Sequence, residues 1–391
     1  MRLAALAAAV LAALLAASTA SALRVEDARI VDASGSPVAL KGVNWFGFNT
    51  YLGMVHGLWP PDALSSDFAT VVQRQRALGF NAVRLPFSFE VLFNETPPGD
   101  FVHNCTLPTA LKLTASVTPP DKVASGSLAP SLPFPPTRTA GKCNDYLPTT
   151  TILDRFVWVV QFYVRNGFYV LIDDHLREDQ TVLTKGAAAW ASQWAQLAAA
   201  LTAGNTTYDR LIIDVLNEPD NFDIRWEATA DRPALKDLLL AAMDAVEAAA
   251  PGLLFAIEGT GQLSIWANWG DGFATNASVI ASTSISDPRP FFTALLAKPY
   301  RDRVVLAPLV RTCSCCGSAW LCAPSAAHFN TRNPLLVGVP AVRDGSRHRC
   351  FRRRPLRPPV HLLWHPDDRR LLHRQRLPTL RRPHRRVRLQ V

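Results

Sequence analysis

The sequence predicts an α/β fold: a (β/α)8 barrel of the TIM type, incomplete after its sixth strand and followed by a disordered Arg/Pro-rich tail. Three observations lead there. Apolar, strand-like runs alternate with amphipathic helical segments from Lys41 to Pro308, which is the signature of parallel strands joined by helical crossovers. No Gly-x-Gly-x-x-Gly follows the first strand, which argues against a dinucleotide-binding sheet. Polar and aromatic residues sit at several strand C-termini, the end of a barrel where chemistry gathers.

The elements follow in order. Val31 to Leu40 reads as a hairpin turning at Ser34-Gly35-Ser36. Lys41 to Phe48 is a first barrel strand. Ser66 to Leu78 has helical apolar spacing and ends at Gly79, a C-cap signal. Phe80 to Phe87 is a second strand, expected to stop at Pro86. Residues 95–150, rich in Pro, Ser and Thr, read as an insertion rather than a core element. Thr151 to Asn166 is an amphipathic helix closed by Gly167, and Phe168 to His175 is the third strand. Ala187 to Ala203 is an Ala/Trp-rich helix ending at Gly204. The fourth strand runs from Leu211 to Glu218, halted by Pro219. Pro233 to Ala250 is a helix, Leu253 to Gly259 a fifth strand, Pro290 to Ala297 a short helix and Arg303 to Pro308 a sixth strand.

Three domains of behaviour result: a signal segment 1–22, a barrel domain 23–308 and a basic tail 309–391. Arg2, the Ala/Leu run from Leu3 to Ala17, and Ala20-Ser21-Ala22 have the layout of a cleaved secretory signal. An uncleaved membrane anchor is the alternative, although the run is short for a span. No later segment is apolar enough to cross a bilayer. Four sequons, at Asn94, Asn104, Asn205 and Asn276, agree with export and glycosylation.

Cys105 and Cys143 flank the Pro/Ser-rich insertion, so a disulfide between them would staple one long loop in an oxidising compartment. The cluster Cys313, Cys315, Cys316 and Cys322 is too tightly spaced for a usual tetrahedral zinc site, and no metal is expected. The formal charge of +9 misleads. Residues 343–391 hold 16 Arg, no Lys and 3 Asp, a net +13; the remaining 25 basic and 29 acidic residues give −4. The body is thus mildly acidic. A nucleic-acid-binding role for the tail is disfavoured by the signal segment and by the lack of interleaved aromatics.

Four motifs fall at predicted strand ends in barrel order: Val43-Asn44-Trp45, Asn81-Ala82-Val83-Arg84-Leu85-Pro86, Asp173-Asp174-His175 and Asn217-Glu218-Pro219. Together they make residues 24–308 resemble glycoside hydrolase family 5, the cellulase-type group of the Asn-Glu-Pro barrel clan. The resemblance implies a retaining endo-β-1,4-glycanase, a cellulase or mannanase, that is secreted, monomeric and free of cofactor. Its partner is a β-glucan or β-mannan, with no nucleic acid or membrane after signal cleavage. By the same resemblance Glu218 is the general acid and then base, with its pKa raised by partial burial and a neighbouring carboxylate. Asn217 holds the sugar 2-hydroxyl. Arg84 positions the nucleophilic carboxylate, with a barrel-mouth salt bridge as the alternative. His175 binds a sugar hydroxyl, or else is a hydrogen-bonded core histidine. Trp45, Trp266 and Trp269 stack on pyranose faces or pack in the core.

The family pattern also requires a His-x-Tyr after strand six, a nucleophilic Glu after strand seven and a Trp after strand eight. None is present, and Glu258 is the last glutamate in the chain. Ile257-Glu258-Gly259 looks like a nucleophile strand, but by strand count it is the fifth. Glu258 is therefore read as a structural or subsite residue, and no nucleophile is identified. The segment after Leu309 reads as a shifted reading frame, with a genuine basic tail as the alternative. A non-catalytic glycan-binding protein is the rival function.

Overall fold

The computed structural model describes residues 23–58, 66–107, 111, 128–175, 181–204, 208–260, 272–283 and 286–307. The signal segment, the cysteine cluster, the basic tail, Asn205, Trp266 and Trp269 lie outside the described residues. Among those described, six strands form one parallel sheet: β3 (Gly42–Asn44), β4 (Ala82–Phe87), β7 (Tyr169–Asp174), β8 (Leu211–Asp214), β9 (Leu254–Ile257) and β10 (Val304–Leu306). Each pairs with the next in chain order. Such a sequential parallel order is how a (β/α) barrel is laid down, whereas a doubly wound sheet reverses direction at a switch point.

Helices α1 (Phe68–Ala77), α3 (Ile152–Arg165), α5 (Gly186–Thr202), α6 (Leu235–Ala249) and α8 (Arg289–Leu295) occupy the crossovers, with single turns α2 (Phe89–Leu92) and α4 (Thr181–Thr184) and a short α7 (Ala277–Thr283) between them. The expected C-terminal glycine caps are present, and side-chain N-caps accompany them. Asp67 accepts from the Thr70 N–H at the start of α1, and Thr151 accepts from the Asp154 N–H at the start of α3. Gly79 and Gly167 close the same two helices at φ 79° and 87°, a conformation with no Cβ penalty for glycine.

Side-chain alternation divides the sheet cleanly. Val83, Leu85, Phe87, Val170, Ile172, Leu211, Ile213, Phe255 and Ile257 face the helices and join the main core. Ile212, Leu254, Ala256 and Val305 face inward, where Leu23, Val25 and Ile30 pack against them. The last three belong to a hairpin of β1 (Leu23–Glu26) and β2 (Arg29–Asp32), which packs on the inner face of the sheet.

Several expectations need correction. The hairpin is a two-turn meander: the Ser-Gly-Ser turn exists, bridging Val31 to Pro37, but β1 and β2 pair first through Asp27 and Ala28. Both residues have positive φ, and Ala carries no sequence signal for that conformation. Pro86 does not stop β4, which pairs with β7 as far as Phe87. The carbonyl of Arg84, two residues earlier, points toward β3 and bonds the Trp45 N–H. Pro86 shares that parity, so its missing donor faces β3 beyond the last residue of that short strand. The fourth strand ends at Asp214 rather than Glu218. The insertion is partly core: Leu132 and Leu147 are buried in the main cluster. Its short ladder, β5 (His103–Asn104) with β6 (Lys142–Cys143), carries the Cys105–Cys143 disulfide, at a Cα separation of 5.7 Å. Of the described sequons, Asn104 and Asn276 are exposed and Asn94 is half-buried.

Candidate functional site at the carboxyl ends of the strands

The inward parity that carries Ile212 and Leu254 continues to the strand tips, and there it becomes polar. Arg84 on β4, Asp173 on β7, Asp214 on β8 and Glu258 just beyond β9 gather at this end. Arg84 Nη2 lies 2.9 Å from Asp173 Oδ2 and 3.6 Å from Asp214 Oδ2, and donates to Asn217 Oδ1 at 2.5 Å. Asp173 Oδ2 also meets His175 Nδ1 at 2.6 Å. Beside a carboxylate, Nδ1 is the donor, which leaves Nε2 as the ring nitrogen turned away from Asp173. Asp174 has the opposite parity and points to the helix layer, where it accepts the Trp190 indole N–H at 2.7 Å.

Glu218 follows Asn217 in a left-handed conformation, φ 47° and ψ 57°. For a residue with a Cβ this costs about 1–2 kcal/mol and persists only where its surroundings impose it. Its N–H donates to Glu258 Oε2 at 2.9 Å, and its own Oε2 accepts from Asn221 Nδ2 at 2.5 Å. Pro219 then opens a 3-10 turn, Pro219–Phe222, where a missing N–H costs nothing. Thr260 ties that turn back to the fifth strand, donating its hydroxyl to Asp220 Oδ1 at 2.9 Å and to the Ile224 carbonyl.

Three buried carboxyl groups around one arginine, Asp173, Asp214 and Glu258, cannot all ionise cheaply. Burial pushes Asp214 up to about 7, Arg84 pulling the other way and Asp173 adding to the rise. Burial, and then Asp214, raise Glu258 well above the usual carboxylate range, against the Glu218 N–H and Arg84. Burial works against the Arg84 charge, but Asp173, Asp214 and Glu258 outweigh it and the guanidinium is held more firmly than usual.

The structure therefore brings Arg84, His175, Asn217 and Glu218 together. It places Trp45 elsewhere. Trp45 has helix-facing parity on the β3 strand line, stacks on Phe68 with centroids 5.8 Å apart, and donates its indole N–H to the His56 carbonyl at 2.8 Å. The sugar-stacking expectation for Trp45 gives way to packing. Sequence reasoning missed Asp214 and undervalued Glu258. The available signal was register: Asn44, Arg84, Asp173, Asp214 and Glu258 all stand on the inward parity of their strands. Among the described residues no cluster of His, Cys, Asp and Glu is arranged to hold a metal ion.

Fold and site together define a parallel α/β barrel with its polar centre at the carboxyl ends of the strands. The family model for cellulase (glycosyl hydrolase family 5) matches residues 131–298, 168 of the 391 residues of the chain. Among curated proteins it is similar to the major extracellular endoglucanase of Xanthomonas campestris pv. campestris, 42% identical over 96 residues (24% of this chain, 19% of that protein). It is also similar to an endoglucanase of Paenibacillus polymyxa, 32% identical over 83 residues (21% of this chain, 20% of that protein). The matched stretches span about a fifth of those relatives. The solved catalytic domain of the Xanthomonas enzyme aligns over 74% of this chain and 68% of its own, at 24% identity and a TM-score of 0.46.

Proposed function

We propose that the chain is a secreted β-1,4-glycanase body directed at β-1,4-glucan, with Glu218 as its acid/base carboxyl. The observation that carries this is the Arg84–Asn217 contact, which fixes the residue beside Glu218 at a barrel strand tip. With Oδ1 held by Arg84, Asn217 keeps Nδ2 to donate to a sugar hydroxyl, a contact that strengthens as the anomeric carbon becomes cationic. His175, oriented by Asp173, offers Nε2 to a second hydroxyl. Glu218 would protonate the leaving glycosidic oxygen. The endoglucanase names of the relatives favour glucan over mannan as substrate.

A retaining mechanism needs a second carboxyl group roughly 5 Å from the first, free to attack. Glu258 does not suit that task, since it is buried and its Oε2 is occupied by the Glu218 N–H. No glutamate follows it. That favours the second reading, glycan binding without efficient turnover, for the chain as written.

The test is to express residues 23–391 through a secretory host and titrate cellotetraose and mannotetraose by calorimetry, with hydrolysis assayed in parallel. Saturable cellotetraose binding, weakened in Arg84→Ala and His175→Ala and accompanied by little hydrolysis, is expected. Absence of binding to either sugar by folded protein would remove the reading. Robust hydrolysis that survives Glu258→Gln would show that another residue serves as nucleophile.

A further inference from the structure

We propose that Glu258 is the positioning residue of Glu218: its buried carboxyl accepts the Glu218 backbone N–H and fixes the left-handed turn from which the Glu218 side chain leaves the strand tip. The proposal rests on the reading of Glu218 as the acid/base group, and its test separates the two.

Three observations converge. First, Glu258 is 2% exposed yet makes its hydrogen bond to Glu218, which with Asp223 is one of two left-handed residues that bound this turn. A carboxyl group is costly to bury, so its presence needs a compensating contact. Second, the contact is not isolated. Thr260, two residues on and on the same parity, binds both ends of the Asp220–Ile224 segment. The tip of the fifth strand thus braces the Glu218 turn at its start and at its finish. Third, beyond Asp214 the chain still bonds its neighbours through Val215 N–H to the Ala256 carbonyl and Asn217 N–H to the Asp174 carbonyl, so Glu218 lies directly past the last of these sheet bonds, and its own N–H goes to Glu258 instead.

The chemistry of the brace matters as much as its geometry. The charged groups acting on Glu258 are Arg84 from β4 and Asp214 and Glu218 from the β8 line, with Asp173 and His175 from β7 one contact further, through Arg84; the β10 residues beside it, Leu306 and Ala307, are apolar. One guanidinium serves three buried carboxyl groups, and Glu258 is the one without a direct ion pair to it. In its neutral form Glu258 accepts the N–H without adding charge beneath Glu218. Ionised, it would hold the same N–H but place a second anion against the acid/base carboxyl and raise its proton affinity. The position therefore calls for a neutral oxygen acceptor, which glutamine also supplies.

The experiment is a titration of the full chain carrying 13C-carboxyl glutamate, followed by NMR from pH 4 to 9, in wild type, Glu258→Gln and Glu258→Ala. Glu218→Gln assigns the Glu218 resonance. In wild type the Glu218 resonance should show its own midpoint and a second, smaller step where Glu258 ionises. Glu258→Gln should keep the first midpoint and lose the second step. Glu258→Ala should move the Glu218 midpoint by about one pH unit, because the turn is released. If the alanine variant does not fold, wild type against Glu258→Gln still decides. A Glu218 titration that is identical in all folded variants, or a midpoint displaced as far by glutamine as by alanine, overturns the proposal. Addition of cellotetraose is the separate arm: if the Glu218 resonance ignores the sugar, the acid/base reading fails while the positioning result stands.

Discussion

Arg84 reaches across an intervening strand to hold Asn217: its Nη2 donates to Asn217 Oδ1 at 2.5 Å, from β4 to the end of the β8 line, with β7 between them. This contact settles which way the Asn217 amide points and frees Nδ2 for a ligand. Asn217→Asp should therefore separate fold from function. A carboxylate there would pair with Arg84 and preserve the melting temperature, but Nδ2 would be gone. Cellotetraose affinity should fall about tenfold, the worth of one hydrogen bond. Calorimetry with unchanged affinity in a folded Asn217→Asp protein would show that the amide does not touch the sugar.

Asp214 gives the site a pH signature. Its folded-state pKa is raised to about 7 from 3.8, burial being the main cause. Between those values the folded chain keeps a proton that the unfolded chain releases, so the contribution is present in acid and lost as pH climbs through 7. An aspartate so shifted, once ionised, costs the fold on the order of 4 kcal/mol. Asp214→Asn escapes that loss. The stability of Asp214→Asn relative to wild type, measured by urea unfolding, should rise from pH 4 to about 7 and level off above it. A difference that stays flat over this range would mean that Asp214 is ionised throughout.

The sequence made the helix ends and the strand order legible because their signals are local. Gly79, Gly167 and Gly204 closed helices at positive φ, and the apolar runs lay where β4, β7, β8, β9 and β10 formed. Arg84, His175, Asn217 and Glu218 were also legible, since each sits in a motif at a strand end. What escaped depended on register between strands. Trp45 and Arg84 differ in which face of the sheet they occupy, and only the pairing of Asn44 with Arg84 reveals it. Glu258 was visible as an acid on the fifth strand, but its bond to the Glu218 N–H spans 40 residues and has no local trace. Pro86 misled for a similar reason: its cost depends on which neighbour its nitrogen would have faced.

Trp45 should behave as a core residue. One face rests on Phe68 and its N–H is satisfied by the His56 carbonyl. Trp45→Ala should cost about 3 kcal/mol of stability through the lost packing. Cellotetraose affinity of the folded fraction should change by less than about twofold, a few tenths of a kcal/mol. Loss of affinity with an intact melting temperature would restore the stacking role.

The last prediction concerns the insertion, whose two ends the disulfide joins beside the start of the first crossover helix. Cys105 and Cys143 close a 38-residue separation. In the chain-entropy account a loop of that length contributes roughly 3–4 kcal/mol. Next to Cys143, Asn144 in a left-handed conformation accepts the Phe68 N–H at 2.9 Å and donates to the Ser66 carbonyl at 2.5 Å. Nearby, Tyr146 donates its hydroxyl to Asp67 Oδ1 at 2.9 Å, and Arg138 Nη2 binds Asp67 Oδ2 at 2.6 Å. Asp67 is the N-cap of α1. The disulfide therefore secures a polar plug over a helix start, and losing it should loosen that end first. The double variant Cys105→Ser/Cys143→Ser should melt at lower temperature and show faster amide exchange over residues 66–72 than over α5 or α6. Uniform exchange across all three helices would mean that the bond acts only on the unfolded chain, and an unchanged melting temperature would deny it any stabilising part.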